Sequence, residues 1–226
     1  MALTEAINAL RNGSFVLVHD DKGRENEVDM VISAERIKPE HVGLMRTQAG
    51  GLLCLAISHD IATRLGLVYL HDIIEGMGKL NPVYSRITQG KAAYGDKPSF
   101  SIPVNHRDTF TGITDRDRAL TISQMAMVCK NIESTGKEDF ARNFRAPGHV
   151  PILIASKGLL HERMGHTELC VYLMQLAGLT PCVAICEMMD SETHGSLGID
   201  KAGDFAKKHS IPLVESEELK ANARVQ

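Results

Sequence analysis

The chain has 226 residues, 43% of them hydrophobic and 23% charged, which is typical of a folded globular protein and excludes a disordered chain. The formal net charge of −3 provides no overall positive field that would attract nucleic acid or an anionic membrane. No apolar run approaches the roughly 20 residues that span a bilayer, and the first residues lack the basic stretch of a signal peptide. We therefore expect a cytoplasmic protein that binds neither nucleic acid nor membranes.

Hydrophobic periodicity predicts strands and helices that alternate along the chain. The predicted strands cover residues 14–19, 28–34, 52–57, 99–104, 150–155 and 182–186. The predicted helices cover residues 3–12, 39–49, 59–66, 116–131, 167–177, 201–209 and 215–223. Glycine and proline interrupt the pattern over residues 70–97, where we expect an irregular segment. Such a segment is either functional or a variable insertion.

The elements alternate without the regularity of repeated βαβ units. We therefore predict an α+β fold with a single domain over residues 1–226 and a core at about 3–215, in which helices cover the faces of one mixed β-sheet. The first two strands are close enough in sequence to pair as a hairpin. Five cysteines without CxxC spacing predict buried reduced thiols rather than disulfides or a zinc site.

An acidic cluster follows the first predicted strand. Five carboxylates fall within ten residues, at Asp20, Asp21, Glu25, Glu27 and Asp29. The last three recur at every second position, which in an extended chain places them on one face. A hard cation such as Mg²⁺ would relieve their repulsion, and the neighbouring arginine would neutralise charge or hold a phosphate or hydroxyl. The residues alone leave open the alternative of a solvated acidic turn.

A second polar cluster precedes the helix predicted at residues 167–177. Free backbone N–H groups at a helix N-terminus favour an anion. Arg163 adds a fork of donors, Gly165 permits close backbone approach, and Thr167 adds a hydroxyl. His166 is placed to share a metal with the acidic cluster. The spacing alone fits a phosphate site and an ordinary capped helix equally well.

Two further residues suit proton transfer. His149 lies between a Pro-Gly turn and a predicted strand, and Glu187 follows the last predicted strand, near an edge where ligands gather in α/β sheets. A histidine and a glutamate in such places suit proton transfer next to a carbonyl group. Each residue alone is also compatible with a purely structural role.

Five motifs occur in order along the chain. They are Asp-Asp-x-x-Arg-Glu-Asn-Glu-x-Asp from Asp20, Thr-Gly-Ile-Thr-Asp-Arg-Asp-Arg-Ala from Thr111, Arg-Ala-Pro-Gly-His-Val from Arg145, Arg-x-Gly-His-Thr-Glu from Arg163, and Cys-Glu-Met from Cys186. In combination they resemble the 3,4-dihydroxy-2-butanone-4-phosphate synthase family of riboflavin biosynthesis, with most similarity to its archaeal or fungal branch. The resemblance extends from the first predicted helix to about Met189.

The resemblance implies a lyase that converts D-ribulose 5-phosphate to L-3,4-dihydroxy-2-butanone 4-phosphate and formate. It also implies a requirement for Mg²⁺ or Mn²⁺, with two ions per site, and a homodimer with sites at or near the subunit interface. The chain has no room for the GTP cyclohydrolase II domain that some relatives carry, so a single activity is expected. The loosely matching segment at residues 74–98 is a candidate lid.

The resemblance also implies roles for individual residues. The metal ligands would be Glu25 and His166, and the catalytic residues His149 and Glu187. Substrate contacts would come from Arg24, Glu25, Asp29, Arg163, Met164, Gly165, His166, Thr167 and Glu187. Further active-site positions, without an assigned role, are Asp20, Glu27, Cys54 and Thr111.

Three other functions remain as alternatives. A metal-dependent sugar-phosphate aldolase or isomerase would use the same two clusters, and formate production distinguishes it. A nucleotide- or RNA-binding module is disfavoured by the negative net charge and the lack of an aromatic-rich basic patch. A scaffold role is least favoured, because clustered carboxylates without a cation repel one another.

Overall fold

A computed structural model describes residues 2–223 of the chain. The strands within this range are β1 (Val16–His19), β2 (Val28–Ser33), β3 (Cys54–Ile57), β4 (Phe100–His106), β5 (Phe144–Ile154), β6 (Cys182–Glu187) and β7 (Leu213–Glu215). The α-helices are α1 (Ala2–Arg11), α2 (Pro39–Leu44), α3 (His59–Leu65), α4 (Leu70–Gly76), α5 (Pro82–Ile87), α6 (Asp115–Lys130), α7 (Gly136–Asn143), α8 (His166–Leu176), α9 (Ile199–His209) and α10 (Ser216–Ala223).

All of these strands form one mixed sheet, in the order β4-β5-β3-β6-β2-β1-β7. The pairs β5–β3 and β1–β7 are parallel, and the other neighbours are antiparallel. β1 and β2 form the predicted hairpin, in which Val16 pairs with Val31. The prediction of a mixed sheet with helices on its faces is confirmed.

Alternation along the strands separates two hydrophobic cores. In β2, Met30 and Ile32 face the core under α6, whereas Val31 faces the core under α8. Residues on both faces are fully buried, because helices cover both sides of the central strands. Consequently Asp29 and Glu187, at odd-numbered positions like Val31 and Ile185, lie on the side of the sheet that α8 covers.

The helix ends follow local sequence signals. The Ser58 side chain accepts a hydrogen bond from the Ile61 N–H and caps α3, which ends at Gly66 in a left-handed conformation with φ of 75°. Thr114 caps α6 in the same way, accepting from the Asp117 N–H. The predicted boundaries of these two helices are therefore correct to within one residue.

Several predictions about the elements were wrong. Residues 70–97 are not structureless, because α4 and α5 form a short helical hairpin there, and only the part after α5 is irregular. β5 begins six residues before the predicted strand and contains the proposed Pro-Gly turn. α7 and β7 were not predicted. β7 has three residues, too few to show a period.

Two other expectations concern the cysteines and the membrane. All five cysteines are free and buried, as predicted. Among the helices of residues 2–223, none combines the length and the apolar character needed to cross a bilayer.

Candidate active site

The candidate site lies at one end of the central strands, where the start of β2 and the end of β6 meet the start of α8. Asp29 on β2 pairs in register with Glu187, the last residue of β6. α8 begins directly after Gly165, so His166 is its first residue, and its ring points toward the start of β2. A hydrogen bond from the Leu52 N–H to Glu187 Oε2, 2.7 Å long, fixes the position of that carboxylate.

Asp20 organises the acidic loop that leads into β2. Its carboxylate is fully buried and accepts hydrogen bonds from the backbone N–H groups of Glu25 and Glu27 at 3.1 and 3.0 Å. Asn26 between them has a φ of 54°, so the chain turns instead of extending. The prediction of an extended chain with three carboxylates on one face is therefore wrong. The carboxylates meet because the loop folds back around Asp20.

His166 brings the acidic loop and α8 together. Its Nδ1 lies 3.3 Å from Glu25 Oε2, and its Nε2 lies 3.1 Å from the Glu27 carbonyl oxygen and 3.8 Å from Asp29 Oδ1. One ligand atom from each of Asp20, Glu25 and His166 lies within 4.8 Å of the other two. The structure thus brings together the two predicted metal ligands, 141 positions apart in sequence.

Burial and charge shift the pKa values of this cluster in different directions. Burial raises the pKa of Asp29 to about 7. Burial alone would raise the pKa of Glu25, but hydrogen bonds from His166 and Tyr94 and the charge of Arg24 lower it to about 2. Burial would lower the pKa of His166, but the surrounding carboxylates raise it to about 9. The Asp29 Oδ1 atom is buried and accepts no hydrogen bond from residues 2–223.

Two arginines converge beside this cluster at the N-terminus of α8. Arg24 Nη1 contacts Asp20 and Glu25 at 3.1 and 2.8 Å, and Arg163 Nη1 donates to Glu168. A Cβ atom at Gly165 would lie 2.3 Å from Arg163 Nη1 and 2.9 Å from Arg24 Nη2. Glycine is therefore the residue that lets both guanidinium groups approach the start of α8.

Tyr94 and Asp96 complete this region and were not predicted. The Arg24 guanidinium lies over the Tyr94 ring, 4.6 Å from its centroid, and the nearby Tyr94 hydroxyl contributes to the lowered pKa of Glu25. Asp96 Oδ2 lies 3.1 Å from Arg24 Nε and 3.5 Å from Arg163 Nε. Both residues lie in the irregular segment that follows α5. The only signal in the sequence was that this segment is long and matches the family loosely.

A cavity of about 170 Å³ lies between these groups. Its lining includes the predicted residues Arg24, Glu25, Asp29, Cys54, Arg163, His166, Thr167 and Glu187, together with Tyr94. Burial raises the pKa of the Cys54 thiol, which is therefore protonated at neutral pH. Met164 lies in the loop before Gly165 and is more than one third exposed. Glu27 is half-buried beside the cavity, and burial raises its pKa.

Six predicted residues do not line the cavity. Asp20, Glu27, Met164 and Gly165 belong to the two clusters that surround it, whereas His149 and Thr111 lie on other elements. His149 is exposed on β5, where its Nδ1 lies 3.1 Å from Asn105 Nδ2. Thr111 is exposed on the loop before α6, where its backbone N–H and its hydroxyl donate hydrogen bonds to the Asp117 carboxylate. Leu55 pairs with Ile152 in parallel register. The same register, extended by three residues, places His149 level with Leu52, whose N–H donates to Glu187 at this end of the strands.

A larger cleft lies at the opposite end of the central strands, after β3 and β5 and before β6. Its volume is about 610 Å³, and it is lined by residues such as Ser58, Lys130, Ser156 and Thr180. None of the predicted site residues lines it. Volume alone therefore does not identify the site, because the clustered oxygen ligands and arginines lie around the smaller cavity.

Clustered carboxylates and a histidine beside paired arginines at a helix N-terminus are typical of enzymes that act on a small anionic substrate with a divalent cation. Comparison with known families narrows this class. Residues 4–222 match 3,4-dihydroxy-2-butanone 4-phosphate synthase, and the chain belongs to this family. Enzymes of this family make 3,4-dihydroxy-2-butanone 4-phosphate in riboflavin biosynthesis.

Individual relatives agree with this assignment and with the predicted archaeal similarity. The chain is 45% identical to a 3,4-dihydroxy-2-butanone 4-phosphate synthase of Methanothermobacter thermautotrophicus over 96% of its length and 93% of the relative. It is 43% identical to that of Archaeoglobus fulgidus over 95% of its length and 91% of the relative. A crystal structure of such a synthase in complex with two magnesium ions matches with 28% identity and a TM-score of 0.79, covering 100% of this chain and 98% of that one.

Proposed function

We propose that the chain converts D-ribulose 5-phosphate to L-3,4-dihydroxy-2-butanone 4-phosphate and formate. The observation that carries this proposal is that the Glu25–His166 cluster and the paired arginines share one cavity. A sugar phosphate bound there has its phosphate at Arg24 and Arg163, with its carbonyl and hydroxyl groups toward the carboxylates. The two sequence clusters are thus two walls of a single site.

The residues of the acidic wall fit a divalent cation. His166 Nε2 donates to the Glu27 carbonyl oxygen, an arrangement that orients the ring and leaves Nδ1 facing Glu25. Glu25 and His166 would hold the ion, and Asp29 Oδ1, which has no hydrogen-bond partner among residues 2–223, supplies a further oxygen nearby. Bound Mg²⁺, or Mn²⁺, would polarise the carbonyl and adjacent hydroxyl of the substrate. The oxygen-rich surroundings and the relative with two magnesium ions support Mg²⁺ and a count of two per site.

The remaining residues bind the substrate and move protons. Residues 163–167 and Arg24 hold the phosphate end, and Asp29 contacts the sugar hydroxyls. Glu187 has one carboxylate oxygen fixed by the Leu52 N–H, so its other oxygen is available to exchange a proton with the substrate. Asp20 acts through the loop, because its hydrogen bonds keep Glu25 and Glu27 in place.

A homodimer would give His149 a place in the reaction. His149 contacts Asn105, and Gly112 lies against the same Asn105 side chain, so His149 is close to the loop of Thr111. This loop also carries Phe110, which is 94% exposed, and Ile113, which is half exposed. Exposed apolar side chains next to functional residues indicate an interaction surface. We propose that this surface pairs with a second copy and that His149 of one protomer serves the cavity of its partner.

The structure also supports two broader parts of the proposal. All strands of residues 2–223 belong to one sheet, which supports a single catalytic domain over 1–226 with a core at about 3–215. The five buried free thiols support a reducing compartment, and we propose the cytoplasm.

The test is formate release from ribulose 5-phosphate at saturating Mg²⁺. The wild-type chain should produce formate and the four-carbon phosphate in equal amounts. Glu25→Gln and His166→Ala should each reduce turnover by at least about 10³-fold, since both remove a ligand of the reacting centre. Asp60→Asn, at an exposed site on α3, is the matched control. Turnover of ribulose 5-phosphate without release of formate would instead indicate an aldolase or isomerase.

A further inference from the structure

The carboxylate of Asp96 occupies the position at which an anionic ligand would contact the arginines. Its Oδ2 atom contacts two arginines from different parts of the fold, Arg24 Nε at 3.1 Å and Arg163 Nε at 3.5 Å. The same two arginines flank Gly165, the residue at the start of α8. One carboxylate oxygen therefore bridges two cationic groups at a helix N-terminus, which is the geometry expected for a bound phosphate oxygen.

The arginines are incompletely paired despite this contact. Arg24 is nine-tenths buried, yet its Nη2 has no hydrogen-bond partner within residues 2–223. Arg163 Nε is also buried and, over the same part of the chain, forms no hydrogen bond, because Asp96 lies at ion-pair distance only. Buried donors without acceptors are energetically costly. An anion with more oxygen atoms than a carboxylate would satisfy them.

Asp96 lies in an irregular segment outside the helices and strands of the core. Residues 88–99 lie between the end of α5 and the start of β4 and contain no helix or strand. The local turn is closed by hydrogen bonds of its own, from the Ala92 N–H to the Asp96 carbonyl oxygen and from the Gly95 N–H to the Ala92 carbonyl oxygen. Asp96 is one third exposed, so its pairing with the arginines competes with water.

We propose that Asp96 is a specificity-determining residue that the substrate phosphate displaces from Arg24 and Arg163. This inference rests on the proposed function, because it assigns the phosphate end of the substrate to these two arginines. A phosphate dianion pairs with the two guanidinium groups more strongly than a single carboxylate does, whereas a neutral sugar does not compete for them. Asp96 thus weakens the binding of every ligand at this position, and ligands with a phosphate group compete with it best.

The consequence is a measurable competition between Asp96 and phosphate. In Asp96→Asn the carboxylate charge is lost while the side-chain shape is kept. Inorganic phosphate should then bind about fivefold more tightly, the effect of removing one partly exposed competing charge. The KM for ribulose 5-phosphate should fall by a similar factor. Asp96→Glu retains the charge and should restore values near those of the wild type.

Calorimetric titration with inorganic phosphate, combined with steady-state kinetics, tests this. Asp204→Asn on α9 is the matched control, since it removes an exposed carboxylate paired with Lys207 at 3.7 Å, on a helix that packs against the opposite face of the sheet from α8. Phosphate affinity that is equal in wild type and Asp96→Asn, or equal in Asp96→Asn and Asp96→Glu, would overturn the proposal. A loss of kcat in Asp96→Asn as large as that in Glu25→Gln would also overturn it, because Asp96 would then be catalytic.

Calorimetry keeps this inference separate from the reaction itself. If the wild-type chain releases no formate, the proposed function fails, yet the competition between Asp96 and inorganic phosphate remains measurable. If formate is released and Asp96→Asn leaves phosphate binding unchanged, the inference fails while the proposed function stands.

Discussion

Gly165 shows how a single residue shapes the anion site. Its φ of −86° lies in a region that any residue adopts, so its backbone conformation does not require glycine. The requirement comes from the surroundings, since a Cβ atom would lie within 3 Å of both Arg163 and Arg24. A methyl group would push aside the ends of two flexible side chains and leave the backbone in place.

Gly165→Ala should therefore impair substrate binding more than folding. We expect the KM for ribulose 5-phosphate to rise about tenfold, the loss of roughly one charge-assisted hydrogen bond. The melting temperature should fall by only a few °C, because Arg163 Nη1 is displaced from the buried Glu168 carboxylate, which keeps its hydrogen bond from the Ser156 N–H. Steady-state kinetics and thermal unfolding measure both effects.

Gly203→Ala is the control for this prediction. Gly203 lies within α9, and an added Cβ atom there meets nothing within 4 Å. It should leave the KM unchanged. A Gly165→Ala enzyme with normal KM would show that the guanidinium groups do not need their present positions.

At the scale of elements, the loop between β6 and α9 is stabilised by one carboxylate. Asp190 accepts hydrogen bonds from the Glu192 N–H and from Lys201 Nζ, both at 2.8 Å. These contacts, that of Lys201 first, lower the Asp190 pKa to about 2. A depressed pKa in the folded state means that the stabilisation is complete above the unfolded value of about 3.9. It is lost as the pH falls toward about 2.

Asp190→Asn should thus destabilise the protein only where the carboxylate is ionised. We expect the melting temperature to drop by about 2 °C at pH 6, as for one partly exposed ion pair. The difference from the wild type should shrink as the pH is lowered from 4 to 2. Asp204→Asn, which affects an exposed pair with Lys207 on α9, should show little difference at any of these pH values. A difference that persists at pH 2 would contradict the assignment.

The elements also show which parts of the site the sequence could predict. Residue types and spacing suggested separate roles for Arg24 and for His166, and the resemblance to the family, not the spacing, assigned Arg24, Glu25 and His166 to one site. The detailed path of the acidic loop was not predictable, because the left-handed turn at Asn26 depends on hydrogen bonds to the buried Asp20. The residues predicted for the metal thus lie together, although the predicted backbone geometry was wrong.

Contacts between distant segments explain the remaining errors. Asp96 is 72 positions from Arg24, and no periodicity relates the two residues. β7 pairs with β1 through Leu17 and Leu213, nearly the whole chain apart, and neither strand has more than four residues. Patterns within short windows do not contain this information.

At the scale of the whole molecule, the exposed surface around Phe110 is the feature to test. Phe110→Asp should convert the proposed homodimer to a monomer of 24.7 kDa, because a buried unpaired charge disrupts an apolar interface. Light scattering coupled to size-exclusion chromatography measures the mass. Turnover should fall at least about tenfold if His149 has to come from the partner.

Leu80→Asp provides the comparison for this surface. Leu80 is 81% exposed and lies between α4 and α5, so the substitution introduces the same charge at another exposed apolar position. It should leave the dimer intact. A wild-type chain that is itself monomeric at micromolar concentration would contradict the proposed interface.

The contact between His166 and Glu25 also links ion binding to the folding equilibrium. These residues are 141 positions apart and come together only when the acidic loop, β2 and α8 are all in place. An ion held by both binds the folded chain and not the unfolded one. By mass action, an ion at 100 times its dissociation constant would add about 2.7 kcal/mol to the free energy of unfolding. Cellular magnesium would then determine both the activity of the enzyme and its lifetime as a folded protein.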